Sequence, residues 1–293
     1  MSALSSAGGL RLPEVSRRRR VTDRVMRAAL LVATLVALVP LGLILYYLIK
    51  EGASSISWGF LSQDPSGTLF GDPGGIKSAI VGTVVIVVIA SAISVPLGIG
   101  VALYLTEYGR EGRFANVVRY FIDVMTGVPS IVFGLFIYVT LVISHVGGNY
   151  AGWKASVALA LLMLPIVARS AEVVLQLVPS SLREAALALG APRWRIIFRV
   201  VLPTAIPGLV TGTLLAIARG TGETAPLLFT AFGQNGTTLN PTSTMNALPL
   251  QIFNDITSPR AVIVQQAWGA ALVLVVMILV LNLIARAVAR RAR

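Results

Sequence analysis

The chain has 293 residues, of which 56% are hydrophobic and only 12% charged, with a mean hydropathy of +0.82. That balance excludes an ordinary soluble domain, and the absence of cysteine excludes disulfides, thiolate metal sites and a cysteine nucleophile. The net charge of +12 does not mark a nucleic-acid surface, because the basic residues fall between apolar runs; the single histidine, His145, cannot build a metal cluster.

Residues 1–24 form a basic tail that ends in Arg17–Arg20 and Arg24 and reads as solvated. The first apolar run, about Val25–Ile49, is long enough to cross a hydrocarbon core of roughly 30 Å and too long for a signal-peptide core. Residues 50–75, rich in Gly, Ser, Asp and Pro, read as an exposed loop with Trp58 and Phe60 at its edge. Gly74–Ser78 glances at a phosphate loop, but the Gly-x4-Gly-Lys-Ser/Thr spacing is missing.

A second run covers about Ile76–Leu105, with Pro96 inside it. The charged turn Glu107–Arg113 leads to a third, about Val117–Ile143, which holds Asp123, Gly127 and Pro129. After the loop His145–Gly152, the fourth run spans about Lys154–Val178 and carries Arg169 and Glu172. A fifth starts near Leu202 and continues through Arg219 and Glu223 towards Phe232. The polar loop Gly233–Arg260 precedes the sixth, about Ala261–Ala285, and residues 286–293 form a second basic tail.

Arginine and lysine test this map. With the N-terminus inside, eighteen of the 24 basic residues fall on the cytoplasmic side. Only Lys50, Lys77, Lys154 and Arg260 fall outside, and Arg169 and Arg219 lie within apolar runs. The positive-inside rule therefore gives an all-α membrane protein with six spans, a transmembrane domain over 25–285 and both termini cytoplasmic.

Between the fourth and fifth spans lies Pro179–Gly212, a basic, helix-rich island. Ser181 and Glu184 have capping-box spacing, so a helix is expected to start at Ser181 with Leu182, Ala185, Ala186 and Leu189 as its stripe. Gly190 stands where the helix should stop, and Pro192 can open a second helix with the stripe Trp194, Ile197, Phe198 and Val201.

Glu184-Ala185-Ala186, Gly190 and Val200-x-Leu202-Pro203 resemble the EAA loop of ABC-importer permeases, with every spacing kept and Val200 for the usual isoleucine. The resemblance implies a type I permease bundle whose loop 181–203 is gripped by a separate ATPase, with Glu184, Ala185, Ala186, Gly190, Leu202 and Pro203 at the coupling surface. This chain would then bind no cofactor, ATP and Mg residing on the ATPase, and no catalytic or metal residue is expected.

The segment Ala218–Ala231, with Gly74–Ile76 and Ala267–Leu272, is similar to the A-type permease of phosphate-specific ABC transporters. That likeness implies a sister permease subunit, two copies of an ATPase and an extracytoplasmic phosphate-binding protein around this membrane subunit, and no nucleic acid. It also implies that Arg169 and Arg219 line the phosphate path. A guanidinium suits phosphate because its planar fork bonds two oxygens and keeps its charge.

Charges inside a membrane face the bundle interior and need partners. Arg219 and Glu223 are i, i+4, and Arg169 and Glu172 are i, i+3, so each pair fits either a packing contact or a substrate path. Thr221 and Thr224 are candidate hydroxyl donors beside Arg219, or ordinary turn residues. The loop Gly233–Arg260 fits a docking surface with Leu248, Leu250, Ile252 and Phe253 as contacts, or a segment lying on the membrane. Another oxyanion such as molybdate or sulfate is the alternative cargo. A secondary transporter or channel would not need the EAA-like loop, and a membrane enzyme would need more convergent catalytic groups.

Overall fold

The computed structural model describes residues 16–67, 71–109 and 112–291. Most of the basic tail 1–24, with Arg11, and also Arg110 and Arg293, lie outside the described residues. The chain divides into two compact units, Met1–Ile49 and Lys50–Arg293.

In the first unit the dominant element is α1 (Arg17–Gly52), whose last residues belong to the second unit. It starts within the expected tail, where an Arg27–Asp23 ion pair of 2.6 Å, one turn apart, supports its first turns. Among the described residues five helices are long and apolar enough to cross a membrane: those within Arg17–Ser55, Lys77–Tyr108, Gly152–Gln176, Arg193–Thr221 and Ala261–Ile284.

The expected third span is not one helix. It is α4 (Arg113–Gly127) and α5 (Ser130–Ile137), bent by 102° and continued by a π-helical turn, Tyr138–Ile143. Pro129 explains the break, because a proline ring excludes the preceding residue from helical ψ, and Val128 is extended at ψ 130°. If the bent pair counts as one span, the total is six.

The second unit is built on α6 (Gly152–Gln176). It packs along α3 (Lys77–Leu103) on one side and α9 (Leu202–Thr221) on the other. Ala155, Leu159, Met163 and Val167 are buried in the main core with Ile86 and Ala90 of α3 and Ala216 of α9. Lipid tails are as apolar as leucine, so helices in a membrane associate through close packing over small residues.

The α6–α9 contact has that construction. Gly208, Gly212, Ala216 and Gly220 recur every fourth residue, and a Cβ on the three glycines would stand 2.5–2.7 Å from Val174, Ser170 and Met163. The two helices therefore run antiparallel with backbone close to side chain.

The expected outer loop is not a loop throughout. It contains α11 (Leu248–Ile256), which lies against α3 and α12 (Ala261–Arg291). The Leu248 N–H donates to Thr83 Oγ1 at 2.8 Å, and a Cβ on Gly82 would stand 2.0 Å from the Asn246 carbonyl. Leu248 and Leu250 are fully buried by these contacts, so neither is a docking contact; Phe253 remains about half exposed. Their apolar side chains are consumed inside the chain.

There are two further short helices, α2 (Trp58–Ser62), capped by Ser57 Oγ on the Phe60 N–H, and α10 (Ala225–Thr230), which packs on α5 and α6. Lys154, expected on the outer side of the membrane, is fully buried and donates to the carbonyls of Leu141, Gly148 and Asn149. One ammonium thereby closes the turn that joins α5 to α6.

Candidate functional site

Two adjoining cavities run along the face formed by α4, α6 and α9. One, of about 400 Å³, is lined by Met125, Thr126, Phe133, Leu162, Leu215 and Arg219 among others. The next, of about 610 Å³, is lined by Arg169, Ser170, Val173, Thr211 and Gly212 among others. Thr126 and Ile166 belong to both, so they form one groove. Arg219 lies beside the Leu162–Met163 level of α6, seven residues from Arg169, a separation of about 10 Å along the axis at 1.5 Å per residue.

The two arginines are the charged residues that line these cavities, and their side chains are 50% and 60% exposed. Arg219, in the last turn of α9, meets Glu223 Oε1 at 3.4 Å in the turn that leads to α10. Arg169 Nη1 donates to Glu172 Oε2 at 3.1 Å, and its Nε stands 3.9 Å from Asp123 Oδ1 on α4. Both expected pairs therefore form, and each leaves a large part of its guanidinium open.

Glu172 holds a second cation. Arg119 of α4 donates from Nε to Glu172 Oε1 at 2.7 Å and from Nη2 to the Leu105 carbonyl at 3.1 Å. Glu172 is almost wholly buried and so bridges two arginines. The sequence signal available was a buried-side carboxylate next to Arg169, but the partner lies 53 residues away.

The threonines separate. Thr221 is buried, donates to the Ile217 carbonyl at 2.7 Å, and lines a different, apolar cavity with Thr83, Val88 and Met277. It does not face the arginine groove. Thr224 stands at the N-cap of α10, half-buried, and its side chain makes no cap hydrogen bond.

The island between α6 and α9 folds as a knob. α7 (Ser180–Ala188) starts one residue before Ser181, with Pro179 as N-cap and no side-chain cap bond, so the capping box is not formed. Ser181 is already inside the first turn, where its hydroxyl is not placed to cap. Glu184 is consequently exposed, as is Ala185.

The stop is as expected. Gly190 has φ +74°, its N–H donates to the Leu187 carbonyl at 2.9 Å, and the Ala191 N–H donates to the Ala186 carbonyl at 3.1 Å. These are the two bonds of a Schellman motif, which needs a left-handed residue at this place. Ala186 and Ala191 both pack on the cluster that holds Val178, Ile196 and Val201.

α8 (Arg193–Ile196) then passes without a break through a π-helical turn, Ile197–Val201, into α9. The wider turn precedes Pro203, which has no N–H to give to the Arg199 carbonyl. Leu202 opens α9 half-buried, and Pro203 is exposed in its first turn.

Of the first expected stripe only Ala186 packs inward, and of the second only half does. Ile197 and Val201 are buried, whereas Leu182, Leu189, Trp194 and Phe198 are exposed, Leu189 at 89%. Arg193, Arg195 and Arg199 surround them on the surface. Beneath, Arg183 is held by Glu107 at 2.9 Å and by the carbonyls of Leu175 and Val178, which fastens the knob to the ends of α3 and α6.

A family profile described as "Binding-protein-dependent transport system inner membrane component" matches residues 94–293. The chain belongs to this family. It is 40% identical over 282 residues to "Phosphate transport system permease protein PstA 1" of Mycobacterium tuberculosis, covering 94% of this chain and 92% of the relative. It is also 40% identical over 271 residues to "Phosphate transport system permease protein PstA" of Yersinia pestis, covering 92% and 90%.

Solved structures with the same fold include the inward-facing MetNI methionine ABC transporter, with a TM-score of 0.60 at 20% identity over 75% of this chain and 94% of that one. A bacterial ABC transporter for import of the acidic polysaccharide alginate matches at TM-score 0.58 and 17% identity over 93% and 99%. The permease is thus a multi-pass membrane protein with the bundle of ABC-importer permeases.

Proposed function

We propose that this permease conducts inorganic phosphate as one half of a transmembrane pair in an ATP-driven importer. The observation that supports it most is the groove with Arg169 and Arg219 half exposed, about two turns apart, in a face otherwise fit for lipid or for a sister subunit. An intramembrane charge costs about 2.5–3.5 kcal/mol on insertion scales, so two open guanidiniums are a poor choice for packing alone. They suit a doubly charged oxyanion that passes from one fork to the next. Names of the relatives agree with that cargo.

In this reading a sister permease closes the groove from its open side, and an extracytoplasmic phosphate-binding protein delivers cargo at the outer end. Two ATPase subunits hold ATP and Mg and grip the knob through Glu184, Ala185, Ala186 and the exposed Leu189, Trp194 and Phe198. Because α8 continues into α9 and Arg183 ties α7 to α3, a push on the knob moves the arginine-bearing helices directly. Both termini and Gly190 lie in the cytoplasm and Pro241 outside.

The test is reconstitution of the four-subunit membrane complex with its binding protein. Phosphate-loaded binding protein should stimulate ATP hydrolysis and phosphate uptake, while molybdate- or sulfate-loaded partners should not. Cysteines introduced at Gly190 and Pro241 are clean reporters in a chain without native cysteine. Labelling of Gly190→Cys from outside intact cells by an impermeant reagent would overturn the orientation, and a complex unresponsive to phosphate would overturn the cargo.

A further inference from the structure

Arg169 has one firm partner and one loose one. Glu172, buried and bonded at 3.1 Å, fixes one edge of the guanidinium. Arg119 at 2.7 Å already balances that carboxylate, so Glu172 does not neutralise Arg169 as well. The charge facing the remaining edge is Asp123, whose Oδ1 stands 3.9 Å from Arg169 Nε, beyond hydrogen-bond length.

Asp123 is itself 58% exposed and sits one turn before Thr126, which lines both cavities of the groove. The four charges sum to neutrality: Arg119 with Glu172, Arg169 with Asp123. An exposed carboxylate held close to a groove-lining guanidinium without a hydrogen bond is placed where one oxygen of a passing oxyanion would stand.

We propose that Asp123 is the resident counter-anion of Arg169, covering it when the path is empty and competing with the cargo for it; this rests on the reading of the groove as an anion path. Without Asp123 the site would carry one net positive charge and would retain an oxyanion. With it, cargo displaces a carboxylate on arrival and is displaced by that carboxylate on departure. Asp123 thereby sets release, and hence turnover. The break after Gly127 gives the segment that carries Asp123 an end that is not continued by helix, so its position can be adjusted at α4 alone.

The test uses the whole importer in proteoliposomes, with phosphate-loaded binding protein on one side and ATP on the other. Uptake is read as turnover and as the inhibition constant of inorganic phosphate added on the ATP side. Removal of one exposed charge partner predicts that Asp123→Asn binds the inhibiting phosphate about fivefold tighter, with turnover lowered to match. Asp123→Glu, which keeps the charge, should stay near wild type in both.

A purely structural role would lower complex yield and leave the inhibition constant unchanged, and that result would overturn the proposal, as would wild-type kinetics in Asp123→Asn. If the asparagine variant fails to assemble, Asp123→Ser read in the same way decides. Arg169→Gln separates the two levels. Wild-type uptake in that variant would sink the anion path itself, whereas defective uptake beside unchanged Asp123→Asn kinetics would sink only the counter-anion.

Discussion

Arg119 Nε lies 2.7 Å from Glu172 Oε1, joining α4 to α6 through a carboxylate that is only 2% exposed. The same guanidinium reaches the Leu105 carbonyl in the π-helical turn that continues α3, so three segments meet on one side chain. Burying a charge is unfavourable unless a partner and hydrogen bonds complete it, and removing one member of such a pair leaves the other uncompensated.

The first prediction follows from that pair. Glu172→Ala should destabilise the permease by about 3–5 kcal/mol, the range for a broken buried pair, and lower its yield in the membrane. Arg119→Gln should cost less, because Glu172 keeps Arg169 at 3.1 Å and Gln176 within 3.5 Å. Arg119→Gln with Glu172→Gln should recover much of the loss. A double-mutant cycle on the thermal midpoint in detergent checks this, and simple additivity of the two single changes would contradict it.

The second prediction concerns Gly190. A Cβ placed there meets nothing within 4 Å, so substitution creates no clash inside the chain. Its cost is the left-handed backbone, about 1–2 kcal/mol for a residue with a Cβ and less for Asn or Asp. Gly190→Asn and Gly190→Asp should therefore both insert and fold. If the knob docks on the ATPase by close backbone approach, Gly190→Asp should lose copurified ATPase by tenfold or more, with Gly190→Asn intermediate. Equal ATPase recovery from all three proteins would show that the knob surface is not gripped at this point.

Much of this architecture was legible because membrane helices announce themselves by length and by arginine placement. The Gly190 stop was legible too, since a glycine after an apolar helical run has few other uses. What escaped has a common cause. Leu248 and Leu250 lie in a polar-looking segment, and the backbone bond to Thr83 that buries them spans 165 residues.

Thr221 illustrates the helical counterpart. It is two residues from Arg219, and on a helix that spacing puts side chains on different faces, which is where the structure has them. The proline break at Pro129 was available in the sequence, but an apolar run that continues on both sides of it concealed a 102° bend.

The third prediction is a pH dependence outside the spans. Burial pushes the Asp255 carboxyl up to about 6, against the lowering effect of the Gln251 side chain, which donates to both its oxygens at 2.9 and 2.8 Å. The folded state therefore holds this proton more tightly than the unfolded chain, where the value is 3.8. The contribution to stability is fully present below about 3.8, declines as pH rises from there through about 6, and is constant above. Asp255→Asn should remove that slope and be more stable than wild type at neutral pH. Unfolding midpoints of both proteins from acid to neutral pH provide the check, and parallel profiles would refute the assignment.

The last prediction asks whether Arg219 serves the anion or only Glu223. Their 3.4 Å contact is long for a charged hydrogen bond, and the guanidinium is 60% exposed while Glu223 is only 16% exposed. If Arg219 existed to neutralise Glu223, replacing both by glutamine would leave no unpaired buried charge and uptake should persist. If Arg219 meets phosphate, Arg219→Gln with Glu223→Gln should assemble, bind the ATPase and yet transport at no more than about a tenth of the wild-type rate, the loss of one charge-assisted contact. Arg219→Lys should also be impaired, because an ammonium presents a point charge and not a planar fork. Glu223→Gln alone should be milder, since it frees an arginine that is already largely open to the groove. Phosphate uptake and complex yield measured together on the four proteins separate these cases. Near-normal uptake by the double variant would remove Arg219 from the path and leave the pair as a packing contact between α9 and the turn after it.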